Sequence, residues 1–99
     1  MRLTTDQVQA IRQTALRVLG AGARVSVFGS RELDNCKGGD IDLFFETDAL
    51  LENRAEVLCR LHGALTLALG ERKIDVILKD ANTPPARVFE IAKRTGIPL

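Results

Sequence analysis

The chain has 99 residues, 45% of them apolar, and its 14 basic and 13 acidic side chains leave a formal charge of +1. That length predicts one small domain over 1–99 with a modest core, and the near-balance of charge with only four aromatics, all Phe, argues against a nucleic-acid binder. No apolar run approaches the ~20 residues of a membrane span. The first residues carry no signal-peptide core, and Cys36 and Cys59 make no disulfide framework, so the expectation is a cytoplasmic protein with free thiols.

Thr4 and Gln7 fit a capping box. Val8, Ile11, Ala15, Val18 and Leu19 then recur at helical spacing and predict a helix over ~5–19 ended by Gly20 and Gly22. A strand follows at ~24–28, a polar loop at 31–39 and a second strand at ~40–46. Thr47 or Asp48 is expected to cap a second helix, with Ala49, Leu50, Ala55, Leu58 and Leu61 on its buried face and Gly63 as its stop. His62, beside that stop, reads as a structural helix-end histidine. Leu65-Thr66-Leu67-Ala68-Leu69 suits helix or strand. The Gly70-Glu71-Arg72 turn favours a hairpin into a strand over 73–78. Thr83 as N-cap and Pro84-Pro85 open a last helix with Val88, Ile91 and Ala92 as its apolar stripe. Gly96 ends it, and Ile97-Pro98-Leu99 follows as a short apolar tail. The order α-β-β-α-β-β-α predicts an α+β fold, a small mixed or antiparallel sheet with helices packed on it.

The chemistry concentrates in two stretches. Val25-Ser26-Val27-Phe28 runs into Gly29-Ser30, and after nine intervening residues Asp40-Ile41-Asp42 opens the next strand. Strand side chains alternate, so Asp40 and Asp42 share a face. Two adjacent carboxylates repel, and a divalent cation between them relieves that cost; hard oxygen ligands suit Mg²⁺ or Mn²⁺. Asp75 lies inside Lys73-Ile74-Asp75-Val76-Ile77-Leu78, where propensity disfavours it. It either faces water on an edge or faces the Asp40/Asp42 pair across the sheet. Arg31 and Lys37 either meet phosphates or are solvated loop charges, and Cys36 in the same loop reads as a bystander.

The ordered set of Gly29-Ser30, Asp40-x-Asp42 and Asp75 resembles the DNA polymerase beta-like nucleotidyltransferase superfamily. Within it, the chain resembles the minimal nucleotidyltransferases that accompany HEPN proteins in toxin–antitoxin pairs. Relatives often carry a small residue and a Gly soon after Gly-Ser; here Glu32 and Asp34 stand there, and the glycines come at Gly38 and Gly39. The resemblance implies two divalent ions, Mg²⁺ or Mn²⁺, held by Asp40 and Asp42, with Asp75 completing the second metal site or taking the proton. It also implies nucleotide phosphates at Gly29, Ser30 and Arg31, and ATP as substrate. The implied reaction moves AMP to a hydroxyl on a partner protein, a HEPN-type ribonuclease by the same resemblance. The alternative is an antitoxin that silences such a partner by contact, with little or no catalysis.

Overall fold

A computed structural model of the chain describes residues 4–27, 41–70 and 73–99. Its elements run α1 (Thr5–Leu19), β1 (Arg24–Val27), β2 (Ile41–Glu46), α2 (Arg54–Leu69), β3 (Ile74–Lys79), α3 (Arg87–Thr95) and β4 (Ile97–Pro98). The three helices pack on a mixed sheet of order β3-β2-β1-β4, an α+β arrangement. No helix among the described residues is long and apolar enough to cross a membrane.

α1 begins at the expected capping box. The Thr4 hydroxyl accepts from Gln7 N–H at 3.1 Å, and the Gln7 side chain accepts from Thr4 N–H at 2.8 Å. Two otherwise orphaned donors of the first turn are thereby satisfied. Gly20 closes the helix at φ +94°, a backbone region that favours glycine. Ile11, Ala15 and Leu19, spaced four apart, bury the helix against the sheet.

The second half of the chain departs from the hairpin expectation. Residues 54–69 form one 16-residue helix that runs through Gly63, and Leu65–Leu69 is its last part rather than a strand. The physical reason lies in the pairing: β2 and β3 run parallel. Parallel neighbours need a crossover of a dozen or more residues, which α2 supplies. Leu61, Leu65 and Leu69 recur every four residues and are buried, so helical packing wins over the period-two reading. The N-cap is Asn53, whose side chain accepts from Glu56 N–H, not Thr47 or Asp48. Thr47 instead receives Ala49 N–H, Asp48 meets Arg24, and Ala49 and Leu50 lie exposed ahead of the helix.

Alternation sorts the sheet into two faces. Ile41, Leu43 and Phe45 of β2, with Val25, Val27, Ile74 and Leu78, form the core beneath α1 and α2. The other face meets α3. Phe89 stacks on Phe44 with ring centroids 6.0 Å apart, Lys93 reaches Glu46 at 3.7 Å, and Ala92 is fully buried. The α3 stripe is therefore Phe89–Ala92–Lys93, while the expected Val88 and Ile91 are exposed. Its N-cap is Ala86, which makes no side-chain cap, rather than Thr83. Gly96 ends the helix as expected. The tail beyond it adds β4 antiparallel to β1, Ile97 opposite Val27 and Pro98 opposite Ser26.

Candidate functional site

The parallel register of β2 and β3 sets Asp42 opposite Asp75. Register partners share a face, and neighbouring strands lie about 4.8 Å apart. Two carboxylates thus stand side by side near the N-terminal ends of both strands, Asp42 half-buried and Asp75 exposed. Asp75 is at once an exposed residue of a strand at the end of the sheet order and the register partner of Asp42, so the two readings of it do not exclude each other. The last described residue of β1, Val27, lies opposite Leu43, one position from Asp42. Asp40, Gly29, Ser30 and Arg31 lie outside the described residues, as do Cys36 and Lys37.

Farther along the same face, Phe44 and Glu46 continue β2 and carry α3. Glu46 and Asp48 share Arg24: its Nε lies 3.5 Å from Glu46 Oε1 and its Nη2 3.2 Å from Asp48 Oδ1. These hydrogen bonds, Asp48 first, raise the Arg24 guanidinium above its ordinary pKa. The same contact holds the Asp48 carboxyl below the usual range. Through the Glu46–Lys93 ion pair the cluster also reaches α3; sequence reasoning did not single it out.

Asp80 is the other carboxylate that sequence reasoning missed. It is only 1% exposed. One oxygen accepts Leu51 N–H at 2.9 Å, and the other accepts the Thr83 hydroxyl at 2.6 Å and Asn82 N–H at 3.2 Å. The Thr83 hydroxyl bond, then the Leu51 N–H, pull its pKa below the ordinary value. Asp80 therefore ties the β2–α2 connection to the β3–α3 connection. The spacing Asp80-x-x-Thr83 after a strand is a local turn signal that could have identified it.

A groove of about 670 Å³ lies elsewhere, lined in part by Arg12, Leu16, Ser26, Lys93 and Leu99. Neither Asp42 nor Asp75 lines it, and its Arg24 and Lys93 are engaged by Glu46. We therefore place the candidate chemistry at the carboxylate pair. Among the described residues no three His, Cys, Asp or Glu side chains converge, so the pair stands as two donors there. No protein-family model matches the chain, and no curated protein matches its sequence.

Proposed function

We propose that the chain is a metal-dependent nucleotidyltransferase that moves AMP from ATP to a hydroxyl on a partner protein, of HEPN type by the sequence resemblance. The observation that carries this reading is the Asp42–Asp75 register across two parallel strands. Like charges side by side are costly unless a cation or proton joins them. Hard carboxylate oxygens in that arrangement fit Mg²⁺ or Mn²⁺, with Asp40 as the further ligand that its spacing implies. Bound there, such ions would hold the triphosphate and acidify the attacking hydroxyl.

The protein's own residues would do the rest. The acceptor oxygen attacks the α-phosphorus, the bond to the bridging oxygen breaks, and pyrophosphate leaves. Asp75, the more exposed of the two carboxylates, takes the acceptor's proton. Gly29, Ser30 and Arg31 would hold the outer phosphates. The role is that of the antitoxin in a toxin–antitoxin pair. The chain contains no Tyr, so it cannot serve as its own tyrosine acceptor.

The test is intact-mass analysis after incubation with ATP and Mg²⁺, alone and with the protein encoded beside it. AMP on the partner, lost in Asp42→Asn, is the expected result. A partner silenced by stoichiometric binding while unmodified would favour neutralisation by contact instead.

A further inference from the structure

Among the described residues β3 is an edge strand, held on one side by β2. Ile41 N–H donates to the Lys73 carbonyl at 2.9 Å, so that carbonyl faces β2. Backbone groups alternate along a strand, and the next carbonyl, Ile74, therefore faces the open edge. Such unpaired edge groups attract other chains and fray. Here α2 reaches over and fills two of them. His62 Nε2 lies 3.0 Å from the Ile74 oxygen, and an Arg54 Nη2–H donates to the Leu78 oxygen. A carbonyl only accepts, so Nε2 carries the proton in this contact. Arg54 and His62 are eight residues apart on α2, with the half-buried Leu58 between them on one stripe.

The two straps sit differently with respect to the carboxylate pair. The Ile74 carbonyl belongs to the peptide bond that leads into Asp75. The Leu78 carbonyl lies three residues beyond it. We infer that His62 is a positioning residue for Asp75: its hydrogen bond to the Ile74 carbonyl fixes the edge-strand backbone that sets Asp75 opposite Asp42. The inference deepens the metal-site reading above and rests on it. His62 is therefore not the helix-end residue that the sequence suggested, since α2 continues seven residues past it. Outer groups that orient ligand side chains typically contribute 10- to 100-fold to metal affinity.

Three variants test this. His62→Leu removes the donor, His62→Gln keeps an N–H at similar reach, and Arg54→Met cuts the other strap. In metal-free protein, NMR shifts of Ile74 C′ and of Asp75 amide and Cβ should move in His62→Leu and return in His62→Gln. In Arg54→Met the changes should stay near Leu78. In calorimetric Mn²⁺ titration, His62→Leu should bind about 10-fold more weakly, with His62→Gln and Arg54→Met close to the unsubstituted chain. Melting curves on all three establish that each is folded. Equal loss of affinity in Arg54→Met and His62→Leu would show mere loosening of the edge and overturn the inference. So would unmoved Asp75 shifts in His62→Leu. If the unsubstituted chain binds no Mn²⁺, the metal reading fails by itself, while the NMR comparison still decides whether His62 sets Asp75.

Discussion

Gly63 separates the observed architecture from the one its sequence suggests, through the sign of a single substitution. In the structure Gly63 is an interior, exposed residue of α2, and a Cβ built on it meets nothing within 4 Å. Glycine in a helix interior costs about 0.8–1.0 kcal/mol relative to alanine. Gly63→Ala should therefore stabilise the chain by about 1 kcal/mol, which for a domain of this size raises Tm by roughly 4–8 °C. Gly70, the true cap at φ +85°, gives the contrast. An alanine there is forced into a left-handed conformation, and Gly70→Ala should cost about 1 kcal/mol or more. Thermal unfolding followed by circular dichroism at 222 nm reads both. A Tm that falls in Gly63→Ala would mean that the helix stops there, as in the hairpin arrangement, and would refute the parallel crossover.

Gly96→Ala should destabilise, because its Cβ would collide with the Ala92 carbonyl and approach Ser26 Cβ to 3.1 Å; a Tm at or above that of the unsubstituted chain would contradict the α3–β1 packing. Asp80 has a folded pKa below its unfolded value of about 3.9, so its contribution is present above that pH and fades as pH falls through the folded pKa. Asp80→Asn should accordingly melt lower than the unsubstituted chain at pH 7 and converge with it in acid melts below about pH 4; parallel curves down to pH 2 would sink this. Asp75→Asn relieves like-charge repulsion with Asp42 and should raise Tm slightly in chelator. With Mn²⁺ added, the unsubstituted chain should gain Tm and Asp75→Asn should not; equal gains would remove Asp75 from the metal site.

Local signals were legible where they were complete. α1 carried its capping box and its apolar stripe, and its predicted range matches the observed Thr5–Leu19. β1 and β2 were readable as apolar runs bounded by polar or glycine-containing segments. The later part misled for physical reasons. Leu65, Leu67 and Leu69 satisfy period two, while Leu61, Leu65 and Leu69 satisfy the helical spacing, and only the parallel pairing of β2 with β3 decides between them. β4 is two residues long and contains Pro98, too little for any strand signal. Asp42 and Asp75 were recognisable as candidates. Their adjacency stood only as one of two readings of Asp75, because a parallel register between strands 33 residues apart is written in the core packing and not in either segment. His62 was misplaced for the same reason as Gly63: a helix thought to end there offered it no strand edge to reach.

The most direct measurement of the central proposal is a calorimetric titration of Mn²⁺ into the chain with a non-hydrolysable ATP analogue present, repeated on Asp42→Asn and Asp75→Asn. Saturable binding in the unsubstituted chain, lost or weakened at least 10-fold in both variants, is the expected result for carboxylates that share a cation. Binding that is absent, or equal in all three proteins, would show that the side-by-side aspartates of β2 and β3 are not a metal site.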